Sequence, residues 1–103
     1  MTFEEHRAEL ATQTAKMPWR ELQRFFASGQ AIAVAAGLDL VEVAARVAMD
    51  DKTAVEQWIG QNTLGPVTDE QASDWYEADA LLWTVVVKPW VLVQPLPETA
   101  RDK

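Results

Sequence analysis

Apolar and polar residues alternate along this chain at two spacings, and the changes between them mark element boundaries. Leu40, Val43, Ala44, Val47 and Ala48 recur every three or four residues, the period of an amphipathic helix. The same period puts Trp19, Leu22, Phe25 and Phe26 on one side of a segment from Pro18 to Ser28. It puts Val55, Trp58 and Ile59 inward on a further helix, and Ala72, Trp75 and Tyr76 inward on another. A weaker stripe of Phe3, His6, Leu10 and Met17 suggests a first helix from Thr2 to about Lys16. Between these, Gln30 to Ala35 alternates through Ile32 and Val34 and reads as a strand.

Helix starts are legible. Thr2 with Glu5, Asp39 with Glu42, Thr53 with Glu56 and Thr68 with Gln71 have capping-box spacing or its Asp variant. There the first side chain accepts from the N3 amide and the fourth reaches back to the cap. Pro18 suits a first helical turn, where its missing N–H costs nothing. Gly29 and Gly37 mark turns. Leu64 to Val67 (LGPV) reads as a short edge strand, because Pro66 cannot donate to a central ladder.

Leu81 to Gln94 (LLWTVVVKPWVLVQ) breaks the helical period. It has one charge, Lys88, and five valines, which favour the pleated strand. A bilayer span needs roughly 20 apolar residues, so the segment is too short, and it reads as a strand apolar on both faces. A two-residue hairpin at Lys88-Pro89 would lack the Gly or Asn of a primed turn, so a single strand kinked or bulged there is expected. The resulting order, ααβααβαβ, is an α+β fold with about five helices packed on a small, mostly antiparallel three-stranded sheet. Residues 1–95 make one domain, and the polar stretch 96–103 is expected to fray.

Charge and composition exclude several classes. The net charge of −7 sits between Asp50 and Asp79, where eight acids face one base, Lys52, while the rest of the chain is neutral. Phosphate binding needs clustered Lys and Arg, so nucleic acid is not an expected partner. The acidic segment is either a solvated surface or a docking face for a basic partner. With no cysteine there are no disulfides or thiolate metal sites. The acidic start MTFEEHRAEL lacks the basic and apolar regions of a secretory signal. A cytoplasmic protein with no membrane segment is expected.

The runs KMPWRELQRFFASG (Lys16 to Gly29), GLDLVEVA (Gly37 to Ala44) and VVVKPWVLVQ (Val85 to Gln94) together resemble the domain of unknown function 2288 family. Asp50-Asp51, Val55, Trp58 and Trp75 fit its pattern, and the resemblance spans roughly Glu9 to Gln94. It implies a single intracellular bacterial domain, and it brings no catalytic residue, substrate or cofactor with it.

No catalytic motif stands out. His6, the single histidine, pairs at helical spacing with Glu9, but a zinc site needs three or four ligands. No glycine-rich phosphate loop is present, so no cofactor or metal is expected. Asp39 and Glu42 share a helix face, which a cap already explains. Asp50 and Asp51 are adjacent carboxylates between two helices, able to bind a cation or to break a helix. Trp19, Trp58 and Trp75 point inward, whereas Trp83 and Trp90 lie on the strand with no polar face. Residues seven apart point to opposite sides of an unbroken strand, and to one side if a bulge intervenes. Helices covering both faces would bury both. An uncovered face would leave one as an interface anchor, with Gln94 free to bond either a neighbouring backbone or a partner.

The leading expectation is a protein-interaction module or accessory subunit, homo-oligomeric or partnered, using Trp83, Trp90 and Gln94. The alternative is a small enzyme or ligand-binding domain with carboxylates near Asp39, Asp50 and Asp51. A third is an acidic decoy for a basic partner, resting only on the clustered charge.

Overall fold

The computed structural model describes residues 2–96. In chain order the elements are α1 (Phe3–Gln13), β1 (Ala15–Pro18), a 3-10 turn (Trp19–Leu22), α2 (Gln23–Ala27), β2 (Ala31–Val34), α3 (Leu40–Ala48), α4 (Lys52–Gly60), β3 (Leu64–Pro66), α5 (Asp69–Glu77), β4 (Leu81–Val87) and β5 (Trp90–Pro95). All but Leu96 of the polar stretch 96–103 lies outside the described residues.

The expected caps form at three of four helix starts. Thr2 with Glu5 and Thr68 with Gln71 make complete capping boxes, and the Asp39 carboxylate accepts from the amides of Val41 and Glu42. The fourth expectation, Thr53 with Glu56, is corrected: α4 begins at Lys52 and its cap is Asp51, which accepts from the Ala54 amide. Asp50 closes α3 with a left-handed φ of 58°. Asp51, which caps as well as threonine, is therefore the next residue placed to start a helix.

The first helix stops at Gln13 and does not reach Lys16. Thr14 is already extended, and Met17 precedes a proline, a position pushed out of the helical region. Ala15–Pro18 instead forms edge strand β1 against β4, with Lys16 opposite Trp83 and Met17 opposite Leu82. The Pro18–Ser28 helix divides into the 3-10 turn and the short α2.

The sheet differs most from expectation. It has five strands in the order β1-β4-β5-β2-β3, and it is mixed: β2 and β5 run parallel, the other pairs antiparallel. The expected single kinked strand from Leu81 to Gln94 is a hairpin, with Val87 opposite Trp90 across Lys88-Pro89. The Lys88–Pro89 peptide is cis, as in a type VI turn, which needs neither Gly nor Asn. The Gln30 side-chain amide donates to the Pro89 carbonyl at 2.9 Å.

Helices lie on both faces of the sheet. On one face Leu10 of α1 and Leu40 and Val43 of α3 pack with Val85 and Leu92 of the sheet. On the other, Trp19 and Leu22 of the 3-10 turn and Ala72 of α5 pack with Leu82, Val91 and Val93 of the sheet. Each fully buried Val or Leu contributes roughly 1.5–3 kcal/mol. Interior strands between two helical layers are therefore apolar on both sides, which accounts for the composition of β4 and β5. Among the described residues no helix is long and apolar enough to cross a membrane.

Candidate functional site

The hairpin brings Trp83, Trp90 and Gln94 to one face of the sheet. Gln94 lies opposite Trp83, and Trp90 opposite Val87, four residues along from Trp83, so the two-residue periodicity aligns all three. Their surroundings then diverge. Gln94 is buried, and its Nε2 donates to the Ala35 and Leu38 carbonyls at 2.8 and 2.6 Å, so its partner is the backbone turn leading into α3. Trp83 is half-buried against the α1–α3 core, with the Lys16 ammonium 5.2 Å from its ring centroid. Trp90 is 40% exposed.

Trp90 stands at a cleft of about 430 Å³ between α4 and the sheet. Its floor is Ile32, Leu64 and Leu92, and its walls include Val47 of α3 and Val55 and Ile59 of α4. Ile59, expected on the buried side of α4, is 52% exposed. The helix meets the sheet near Leu64 but stands off from Trp90. Asp50, Asp51, Lys52 and Glu56 line one side of the cleft. A second hollow, of about 650 Å³, shares Ile59 and Leu64–Pro66 with the first and continues past edge strand β3 towards Thr68 and Gln71. Volumes of this size are in the range of binding pockets, roughly 300–1,000 Å³. Chemically the cleft offers apolar surface, one indole face and carboxylates.

The three carboxylates of the alternative site do not all meet. Asp50 and Asp51 line the cleft beside Trp90. Asp39 lies at the other end of α3, a nine-residue helix and thus about 14 Å long. It caps α3 and is ion-paired with Arg7. Asp51 caps α4 and lies 3.4 Å from the Arg46 guanidinium. Asp50 and Glu56 are exposed and form no ion pair among the described residues.

The acidic segment is divided between two faces. Asp50, Asp51 and Glu56 stand around α4, while Asp69, Glu70, Asp74 and Glu77 lie on α5, on the other side of the sheet. Tyr76 of α5, expected inward, is 46% exposed with the Arg20 guanidinium 4.5 Å from its ring centroid. His6 is half-buried on α1. Among the described residues no group of three or more His, Asp or Glu is placed to hold a metal ion.

Sequence reasoning singled out Trp90 and Asp50-Asp51 separately and had no means of joining them. It missed Ile59, Ile32 and Leu64 as cleft residues, because an apolar side chain at a core-facing spacing carries no mark of the gap beside it.

The fold recurs in a solved protein: the NMR solution structure of PA1075 from Pseudomonas aeruginosa matches with a TM-score of 0.81 at 45% identity, over 93% of this chain and 89% of that one. No curated protein matches the chain. The pattern of the family described as Protein of unknown function (DUF2288) matches residues 5–95. This covers all three runs that carried the resemblance, and the chain belongs to that family.

Proposed function

We propose that the chain is a protein-interaction module, an accessory subunit that holds a partner in the cleft between α4 and the sheet, with Trp90 as the anchor. The carrying observation is the exposure of Trp90 at the mouth of an apolar cleft, on a strand whose next four residues are buried. A large aromatic at a concave apolar surface becomes a binding hot spot once desolvated. Backbone pairing through β4 or β5 is closed, because each already has a strand on both sides. The contact at Trp90 is therefore made by its side chain, while edge strand β3 keeps a free backbone edge beside the cleft. The absence of cysteine supports action in a reducing cytoplasm.

The test is a photo-crosslinking amino acid placed at Ile59, with exposed Ala8 of α1 as the control position, in cells that express the chain natively. A single defined adduct from Ile59, absent from Ala8 and lost with Trp90→Ala, is the expected result. Equal labelling from both positions, or an Ile59 adduct indifferent to Trp90→Ala, rejects the reading.

A further inference from the structure

The chemistry around the cleft narrows the partner. We infer that the occupant is a cationic amphipathic segment of another protein, one whose apolar side chains enter the cleft while flanking Lys or Arg residues meet Asp50 and Glu56. This rests on the cleft being the docking surface and adds the class of ligand.

Three observations support it. First, the lining carries three acids against one base, Lys52. Arg46 satisfies Asp51 at 3.4 Å, whereas Asp50 and Glu56 are exposed and unpaired among the described residues. Carboxylates beside an apolar groove attract a cation-bearing ligand and repel an anionic one. Second, the cleft adjoins the hollow beyond β3 through Ile59 and Leu64–Pro66. The concavity is thus elongated, which suits a run of side chains better than one compact molecule. Third, a second copy of this chain is a poor occupant. Each copy carries −7, and a symmetric pairing through this cleft would bring two acidic cleft linings together.

The test uses the full chain labelled with ¹⁵N and three short amphipathic peptides. All three share one apolar pattern and differ only in flanks of Lys/Arg, Gln or Glu. The Trp90 indole N–H and the Ile59 amide are followed by NMR titration. The Lys/Arg peptide is expected to shift both signals, bind more weakly as salt rises, and lose about fivefold in affinity with Asp50→Asn plus Glu56→Gln, the scale of two exposed charge pairs. These substitutions spare the caps and core, so loss of fold does not confuse the result.

Equal, salt-independent binding of the Gln peptide at Trp90 would overturn the cationic occupant and leave the cleft as a docking surface. Binding that maps away from Trp90 and Ile59 would instead count against the docking surface. Failure of all three peptides to move either signal rejects the cationic segment, with the docking surface then judged by crosslinking from Ile59.

Discussion

Trp19 and Trp90 each follow a proline, in MPW and KPW, and each has apolar residues close by. Their fates are opposite: Trp19 is fully buried, and Trp90 is 40% exposed. The difference lies in what comes from elsewhere in the chain. Trp75 of α5 meets the Trp19 ring edge-on with centroids 5.2 Å apart, and Phe26 of α2 lies at 5.8 Å. On the other face α4 leaves a cleft where the equivalent cover would sit. Burial of an aromatic is thus decided by the packing of distant helices, and its immediate sequence context says little.

The largest effect that tests this contrast is Trp19→Ala. Removing a fully buried tryptophan costs about 3–5 kcal/mol, which in a small domain consumes much of the total stability. Trp90→Ala is expected to cost about 1–2 kcal/mol, since 40% of Trp90 already faces solvent. Urea unfolding of both variants measures the difference, and comparable losses would mean that Trp90 is structural. Trp19→Phe sharpens the point. The Trp19 Nε1 has no hydrogen-bond partner among the described residues, and such an orphan donor costs about 1–3 kcal/mol. Keeping a ring while dropping that donor should recover most of the loss seen with alanine.

Next in size is Gln94→Ala. Gln94 and Trp90 stand on one face of β5, yet Gln94 ties the 35–38 turn through two hydrogen bonds. Its removal leaves two carbonyls to find other donors, at an expected cost of about 2 kcal/mol. Thermal unfolding measures it. A loss no greater than that for Trp90→Ala would mean that the two carbonyls are readily hydrated and that the turn holds without Gln94.

Much of this fold could be read from the chain because local chemistry dictates it. Thr2 and Thr68 cap as their spacing predicts, Gln30 to Ala35 contains β2, and Leu64–Pro66 is an edge strand. The errors arose where a non-local partner decides. Ala15–Pro18 becomes a strand because β4 offers an edge, although Met17 before Pro18 was a usable signal. Primed-turn rules argue against a hairpin at Lys88-Pro89, but they do not cover a proline turn. The segment from Leu81 to Gln94 thus supplies two strands in place of one, and with β1 the sheet has five where three were expected. For the candidate site, Trp90 and the Asp50-Asp51 pair were each visible. Their meeting depends on how far α4 stands from the sheet, which no residue spacing encodes.

Smaller still is the effect expected at Asp51, one of the two adjacent carboxylates by the cleft. Asp51→Ala removes the α4 cap and the Arg46 partner, costing about 1 kcal/mol, the usual value of a lost N-cap. The more specific readout is amide hydrogen exchange. The Ala54 amide, which donates to Asp51, should exchange faster while core amides of β5 hold their relative protection. An unchanged Ala54 rate would show that Lys52–Gly60 is held only by its packing, and that the cleft wall owes nothing to its cap.

The smallest stability change belongs to its neighbour. Asp50 holds a left-handed φ of 58°, is exposed, and caps nothing. Asparagine tolerates that conformation as well as aspartate does, so Asp50→Asn should alter unfolding free energy by less than about 0.5 kcal/mol. A valine at the same place, β-branched and unsuited to φ above zero, should cost about 1–2 kcal/mol. The pair separates backbone from charge. If Asp50→Asn leaves stability intact and still weakens a cationic ligand, the carboxylate serves the cleft and not the fold. If Asp50→Asn destabilises as much as valine, the charge at this turn is itself structural, and the contrast between a sealed face and an open one loses one of its acidic markers.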